Sequence, residues 1–210
     1  MNFNKKFNDK YAARFLCLIA VFLAIILILN ADKLHQNYEL LTAAEQIQEM
    51  PTANANQKNN YSVLPLIDKE YYNILLNEIS AAENSIDVIM YIIEKHAAVK
   101  KILDALIAKK KQGLRVRVIV SDADKTVNPA LYDCNNYNVD YLNLNGVTAM
   151  INKNNSTTHD KLILIDNKTL IIGAHNWSYS ALFRSSETSL LIKAENDLIA
   201  AIDYIESFYK

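Results

Sequence analysis

The sequence predicts an α/β fold, a mixed β-sheet flanked by helices and preceded by an N-terminal transmembrane helix. Helical and strand patterns alternate through residues 61–210, which is typical of a sheet covered by helices. Residues 15–31 form an almost continuous apolar run behind a basic flank. An Asn-rich polar stretch at 52–60 lies between these two parts and is typical of a linker.

The N-terminal segment is predicted to anchor the protein in a membrane. Residues 15–29 carry no charge, and although this core is shorter than the ~20 residues of a typical span, it can extend through Ala31. Basic residues dominate positions 1–14 and acidic residues dominate after the apolar run. The positive-inside rule therefore places residues 1–14 in the cytoplasm and exports the remainder to the periplasmic or extracellular side. A cleaved signal peptide, giving a secreted protein, is the alternative, although no small-x-small cleavage site is evident.

The globular domain is predicted to occupy residues 61–210. Residues 34–50 favour a helix typical of a stalk, and Pro51 opens the Asn-rich linker, so residues 32–60 connect the apolar run to the domain. With 51% apolar composition the chain can bury one full core. Only Cys134 follows the apolar run, so no intramolecular disulfide framework is predicted.

Apolar periodicity and turn residues define the elements of this domain in order. A helix at 67–82 is followed by a strand at 85–92, and a helix at 96–112 ends at Gly113 before a strand at 114–120. A largely helical segment at 129–145 is closed by Gly146 before a short strand at 147–151. Two apolar runs then flank a turn, and a helix at 177–183, a strand at 187–193 and an amphipathic helix at 196–209 complete the domain.

The most informative residues lie around the turn between those two apolar runs. His159 and Lys161 are two positions apart at the start of a predicted strand, so both side chains can point to one face and converge on a small anion. The turn at 166–168 returns the chain, which brings Asn176 back towards His159. Gly173 can let backbone approach an anion, and Asn176 can donate an amide hydrogen bond to a phosphoryl oxygen.

The pattern resembles the HxKxxxxD signature of the phospholipase D superfamily, in the form carried by single-motif, bacterial endonuclease-like members. The matching residues are His159, Lys161, Asp166, Gly173, Asn176 and Glu187. The resemblance implies an α/β/α sandwich over residues 61–210 and a metal-independent phosphodiesterase that needs no cofactor. The chain departs from the family at Ala174, where a serine hydroxyl usually helps to hold phosphate, so affinity or rate is expected to be reduced.

The resemblance also implies a role for each matched residue. His159 would attack phosphorus and form a phosphohistidine, Lys161 and Asn176 would hold the non-bridging oxygens, and Glu187 would orient the imidazole. Asp166 belongs to the catalytic signature, but its place at the turn indicates that it holds the local architecture. Because the chain carries one signature, a homodimer is expected in which the second histidine protonates the leaving oxygen.

Three functions stay open on the sequence alone. A nuclease is the first, since single-motif exported members commonly cleave nucleic acid; phospholipid is the competing substrate, and an inactive tethered protein that binds lipid or nucleic acid is the third. The formal net charge is −1, and the part after the apolar run is more acidic, so any basic groove must be local. Residues 109–111 with Arg115 and Arg117, or Lys153, are candidates for it, although a solvated helix end is the favoured interpretation of the lysine run. His175 is equally compatible with substrate contact and with a surface or packing role.

Overall fold

The structure, a computed structural model, describes residues 61–123, 125–153, 157–194 and 198–210. All of them belong to the second of the two units into which the chain divides, Asn59–Lys210. The predicted cytoplasmic segment at 1–14, the apolar segment at 15–31 and the stalk and linker at 32–60 lie outside the described residues. Within the described ranges, no helix has the length and apolar character that a membrane crossing requires.

The described residues form one mixed sheet with helices between its strands. The strands are β1 (Tyr61–Ile67), β2 (Ser85–Met90), β3 (Arg115–Ser121), β4 (Thr148–Asn152), β5 (Lys161–Ile165), β6 (Thr169–Gly173) and β7 (Thr188–Ala194). The helices are α1 (Glu70–Ala81), α2 (Ala97–Lys111), α3 (Pro129–Leu144), α4 (Tyr179–Phe183) and α5 (Ile199–Ser207). In the sheet the order is β1-β7-β6-β5-β2-β3-β4.

The direction of the strands determines which loops meet at one edge of the sheet. β2, β3 and β4 are parallel, whereas β5 runs antiparallel to β2. The chain therefore enters β5 at the edge where β2 and β3 end, and Lys161 pairs with Met90, the last residue of β2. In open α/β sheets this carboxyl edge is where ligands usually bind.

Helices cover both faces of the sheet, as the predicted fold class requires. Apolar residues of α1, α2 and α3, among them Leu75, Ile102 and Leu142, pack on one face against β2, β3 and β5. On the other face, Ile205 of α5 packs with Ile89 and other apolar strand residues. The prediction of a mixed sheet flanked by helices is confirmed.

The first strand was not predicted from the sequence. The predicted helix at 67–82 begins only at Glu70, because Ile67 closes β1 and Asp68 turns the chain with a φ of 48°. β1 has little alternation: its residues are exposed except Leu66, and Pro65 interrupts the pattern. Proline is tolerated because β1 is an edge strand that pairs with β7 alone. Pairing with β7, rather than its own sequence pattern, therefore makes this segment a strand.

The two arginines of β3 form ion pairs within the domain. Buried Asp87 receives hydrogen bonds from Arg115 at 2.8 Å and from Arg117 at 2.5 Å, and Arg117 also donates to Glu206 of α5 at 2.6 Å. Arg117 further lies over the ring of Tyr209, 4.2 Å from its centroid. These cations fasten the C-terminal helix to the sheet, and their contribution to a substrate-binding surface stays a prediction.

Candidate active site

His159 and Lys161 meet at the carboxyl edge of β2, as the strand periodicity predicts. The Lys161 Nζ lies 3.1 Å from Nδ1 and 3.5 Å from Nε2 of His159, and it donates to the His159 carbonyl at 2.7 Å. A lysine ammonium has no acceptor, so a ring nitrogen of His159 can take part in this contact only as the acceptor. A neutral imidazole is the form that can attack an electrophile. His159 is exposed, whereas Lys161 is buried.

The environment of Lys161 makes its charge available to a ligand. Burial lowers the pKa of the Lys161 ammonium below its usual value, and the negative charges of Asp160 and Glu187 offset part of that effect. A buried cation of this kind is poorly solvated, so an anion that approaches it gains more electrostatic stabilisation than it would at an exposed lysine.

Tyr91, which was not singled out from the sequence, forms a wall of the site. Its ring centroid lies 4.4 Å from that of His159, and the Lys161 Nζ lies 5.1 Å from the Tyr91 ring centroid. The backbone of Tyr91 is fixed at both ends, since its N–H donates to the Asp160 carbonyl and its carbonyl accepts from the buried side chain of Asn135. Tyr91 therefore limits the orientations that the imidazole can adopt.

Asn176 is held beside buried residues, and its amide is incompletely paired. Trp177, which is fully buried, exchanges backbone hydrogen bonds with Ile92 and Glu94 in the segment after β2, which places Asn176 near the end of that strand. Its Oδ1 is buried and has no hydrogen-bond partner among the described residues. A buried amide oxygen without a donor costs about 1–3 kcal/mol unless a water molecule satisfies it.

Gly173 is required by packing within the sheet. It pairs with Ser189 of β7, and a Cβ at Gly173 would collide with the Ser189 Cα and lie 2.5 Å from its Oγ. The neighbouring Ala174 is exposed, and its N–H donates to the Thr188 carbonyl. The predicted contact of Gly173 with phosphate stays a prediction. The close approach of β7 is by itself sufficient reason for a residue without a Cβ at this position.

His175 is a structural residue and not a surface group. It is fully buried and stacks on Tyr71, with ring centroids 4.2 Å apart and planes within 4°. Its Nε2 lies 3.0 Å from the Asp68 carbonyl and its Nδ1 lies 2.8 Å from the Ser189 Oγ. Since a carbonyl can only accept, Nε2 carries the proton and Nδ1 accepts from the serine. Burial lowers the pKa of His175, which agrees with a neutral ring.

Glu187 lies close to the site, but within the described part of the chain its carboxylate makes no hydrogen bond to His159. Its backbone N–H donates to the Asp68 Oδ1 at 2.9 Å, and the Asp68 N–H donates back to the Glu187 carbonyl. Burial lowers the pKa of both Lys161 and His175. The nearby negative charge of Glu187 acts in the opposite direction and offsets part of that lowering. The orienting role predicted for Glu187 stays a prediction.

Asp166 lies at the opposite edge of the sheet from His159. The two residues flank β5, which separates them by roughly 20 Å at the rise of an extended strand. The Asp166 carboxylate accepts backbone hydrogen bonds from Glu83, Asn84 and Ser85 at 2.9, 2.7 and 2.8 Å. Burial would raise its pKa, but these three donors outweigh burial and hold the pKa below its usual range. The carboxylate fastens the loop before β2, in agreement with an architectural role.

Replacing Asp166 by alanine is expected to lower the free energy of unfolding by about 2 kcal/mol, because three backbone donors lose a charged acceptor. Asp166→Asn should lose about half as much, since Oδ1 already accepts two of the three bonds and asparagine also tolerates the positive φ of 54°. Urea denaturation followed by the fluorescence of Trp177, the single tryptophan, measures both.

The pH dependence of this effect has a defined sign. Because the folded-state pKa of Asp166 is lowered, the carboxylate stabilises the fold fully above its ordinary pKa, and that stability is lost as the pH falls through the lowered value. The difference in the free energy of unfolding between wild type and Asp166→Asn should therefore become smaller in acid. If the alanine variant were as stable as the asparagine variant, Asp166 would not fasten the loop before β2. Activity per folded molecule is expected to persist in both variants.

No group of three or more His, Cys, Asp or Glu side chains that could hold a metal ion occurs among the residues described. The functional side chains that do converge at the carboxyl edge of β2 are an imidazole, an ammonium and a tyrosine ring, with the amide of Asn176 nearby. Such a set can hold an anion and offer a nucleophile to it.

Comparison with known proteins agrees with this fold. The family model described as cardiolipin synthase, PLD-like domain, matches residues 75–208. A curated relative, cardiolipin synthase A of Pectobacterium atrosepticum, is 24% identical over 155 residues, which are 71% of this chain and 32% of the relative. The chain thus spans about a third of the length of that relative.

Two solved structures share the fold. Nuc from Salmonella typhimurium, a phospholipase D family member, superposes with a TM-score of 0.60 at 23% identity and covers 71% of this chain and 94% of its own. NucT from Helicobacter pylori gives a TM-score of 0.53 at 18% identity, and the match covers 71% of this chain and 96% of NucT. The fold and site define a phospholipase D-like domain. The chain belongs to the phospholipase D superfamily, in the PLD-like domain family of the cardiolipin synthases.

Proposed function

We propose that this protein is a metal-independent phosphodiesterase, a nuclease that is anchored in the membrane by residues 15–31 and exported, and that works through a phosphohistidine. The observation that carries the proposal is the contact of the exposed His159 imidazole with the buried Lys161 ammonium, whose Nζ lies 3.1 Å from Nδ1. A nucleophile and a cation at this separation can engage the phosphorus and a non-bridging oxygen of one phosphodiester.

The reaction proceeds in two displacements. In the first, a nitrogen of His159 forms a bond to phosphorus as the bond to the leaving oxygen breaks, and a second imidazole donates a proton to that oxygen. In the second, water attacks the phosphohistidine, gives its proton to the second imidazole, and displaces His159. Lys161 stabilises the charge on the non-bridging oxygens throughout.

The second imidazole comes from a second copy of the chain. His175 cannot supply it, because its ring is fully buried and both of its nitrogens are engaged. His96 is engaged as the N-cap of α2, where its Nδ1 accepts from the Ala98 N–H. A two-fold homodimer would bring the exposed His159 of each protomer to one phosphorus atom.

Phospholipid is the second candidate substrate. It is favoured by the relative, which is a cardiolipin synthase. Nucleic acid is preferred because an exposed His159 beside a tyrosine ring, at an open edge of the sheet, can receive a phosphate within a long polymer. Such a site needs no apolar channel for acyl chains.

A substrate panel distinguishes these functions. Wild type is assayed in chelator on single-stranded DNA, double-stranded DNA, RNA and phosphatidylcholine, with a His159→Ala variant on each. Cleavage of nucleic acid that disappears in the variant is the expected result. Cleavage of phosphatidylcholine alone would overturn the nuclease assignment in favour of a phospholipase, and no turnover on any diester would favour an inactive binding protein.

A further inference from the structure

A groove beside the site is lined by lysines and tyrosines and has no role in the chemistry described above. It lies between the start of α2 and the middle of α3 and has a volume of about 210 Å³. The residues that carry the argument are Lys95, Lys100, Tyr137 and Tyr141. Pockets for complete small ligands are typically about 300–1,000 Å³, so a groove of this size fits one ring of a larger ligand.

Each tyrosine of the groove is paired with an ammonium group. The Lys95 Nζ lies 4.4 Å from the ring centroid of Tyr137, and the Lys100 Nζ lies 5.2 Å from that of Tyr141. The two tyrosines are four residues apart on α3 and therefore share a face of that helix. Alternating aromatic and cationic groups of this kind are the means by which proteins hold single-stranded nucleic acid, with bases stacked and phosphates neutralised.

The Lys95 and Tyr137 pair is the more accessible of the two. Tyr137 keeps 54% of its surface exposed. Exposure of an aromatic ring to water is unfavourable, because most of the ring is apolar. Lys95 has no ion-pair partner within the part of the chain that the structure describes. Lys100, in contrast, is held by Asp104 at 2.8 Å and also donates to the Tyr141 hydroxyl. We therefore assign the main contact with a ligand to Lys95 and Tyr137.

The groove is connected to the active site by one short segment. Tyr91 contacts the His159 ring, and only five residue steps further on His96 caps the N-terminus of α2 at the groove. Five steps span at most about 18 Å, which is roughly five nucleotides at the 3.4 Å rise of a strand in duplex DNA. A strand with one phosphate at His159 can therefore reach the groove with a base a few nucleotides away.

We propose that this groove is a subsite for a base and phosphate of a single-stranded nucleic acid that flank the cleaved phosphodiester. The inference rests on the proposed nuclease function and names its substrate as single-stranded. A phospholipid fits the groove less well, because an acyl chain gains from a continuous apolar wall. Here the walls carry two ammonium groups, the buried amide of Asn138 and the carboxylate of Glu94, which accepts a hydrogen bond from the Tyr179 N–H.

The test compares a groove double variant, Lys95→Ala with Tyr137→Ser, against a control, Lys168→Ala with Tyr61→Ser. The control removes an exposed lysine in the turn between β5 and β6, at the sheet edge opposite His159, and a tyrosine of 56% exposure on β1. Two substrates are used with the full chain. A single-stranded oligodeoxythymidylate of about 20 nucleotides can reach the groove, whereas bis(p-nitrophenyl) phosphate can reach His159 only.

In the groove variant, KM for the oligonucleotide is expected to be about tenfold higher than in wild type. This factor corresponds to the loss of one stacking contact between a base and an aromatic ring. The rate on the small diester should equal that of wild type and control. The slope of log affinity against log salt should also fall by about 0.7, as expected for one lost phosphate contact to a single strand. An unchanged KM for the oligonucleotide, or an equal loss on the small diester, would overturn the subsite.

A binding assay separates failure of the subsite from failure of the proposed function. In a His159→Ala background, fluorescence anisotropy measures the affinity for the same oligonucleotide without any turnover. If wild type cleaves no diester, the nuclease is refuted, yet tenfold weaker binding by the groove variant would still support the subsite. If the groove variant instead loses binding to phosphatidylglycerol vesicles and keeps the oligonucleotide, the subsite proposal is wrong.

Discussion

Replacing His159 by alanine is expected to reduce phosphodiesterase activity by at least about 10³-fold, because removal of a covalent nucleophile eliminates the pathway that it serves. The fold should survive the change. His159 is exposed, and its neighbours Tyr91 and Asp160 are held by backbone bonds that do not involve the imidazole. Equal urea midpoints for the variant and wild type would show that the loss is chemical.

Mixed oligomers test whether the site needs two histidines. If wild type and His159→Ala chains are mixed equally, denatured together and refolded, about one quarter of the dimers carry two intact histidines. Activity should then fall to about a quarter of the wild-type value when both imidazoles act on one phosphorus, and to about half when each protomer works alone. A result near one half, or full activity of isolated protomers, would contradict the shared site.

Trapping the intermediate identifies the nucleophile directly. Brief reaction with a diester labelled at phosphorus should leave label on the protein, and fragmentation should locate it at His159. Lys161→Met is a useful second variant, since it keeps the imidazole but removes the ammonium 3.1 Å away, and it should slow formation of the labelled protein. Label at another residue would exclude His159 as the nucleophile.

The part of the site that could be predicted from the sequence is the part that is local. His159 and Lys161 are two residues apart in one strand, and a period of two places them on one face whatever surrounds them. The turn that follows is equally local, so the role of Asp166 at the end of the strand could be predicted as well. Its three backbone partners could not be named, because they lie 81 to 83 residues away.

The contacts that were missed are long-range and carry no local pattern. Tyr91 reaches His159 only because β2 and β5 pair antiparallel, and Asn135 supports it from a helix 44 residues further along the chain. Asn135 would be assigned to the surface by composition alone, yet it is fully buried because its amide bonds Tyr91, Ile93 and Ser121. Such residues can be assigned only once the pairing of the strands is known.

The burial of His175 shows the same limit. Between Gly173 and Asn176 the sequence left its role open, because neither the spacing nor the turn indicates where its side chain points. The structure provides a stacking partner, Tyr71, and two hydrogen-bond partners that come from β7 and from the turn after β1. Since β1 was not predicted, the carbonyl of Asp68 that fixes the tautomer of His175 could not be foreseen.

Gly173→Ala is expected to lower the free energy of unfolding by about 3 kcal/mol, because the added methyl group overpacks against backbone. A Cβ at this position would collide with the Ser189 Cα and lie 2.7 Å from its Cβ, so rotation of a side chain cannot relieve the contact. The matched control is Gly146→Ala. A methyl group at Gly146 would meet nothing within 4 Å, and only the positive φ of 83° opposes the change, at about 1–2 kcal/mol.

The same substitution should also impair catalysis, which distinguishes it from simple destabilisation. Displacing Ser189 breaks its bond to His175 and loosens the segment that carries Asn176. We expect kcat/KM per folded molecule to fall about 10²-fold, as a displacement of about 1 Å in a positioned group can cause, while Gly146→Ala keeps full activity. If Gly173→Ala were no less stable and no less active than Gly146→Ala, the close approach of β6 and β7 would not be what positions Asn176.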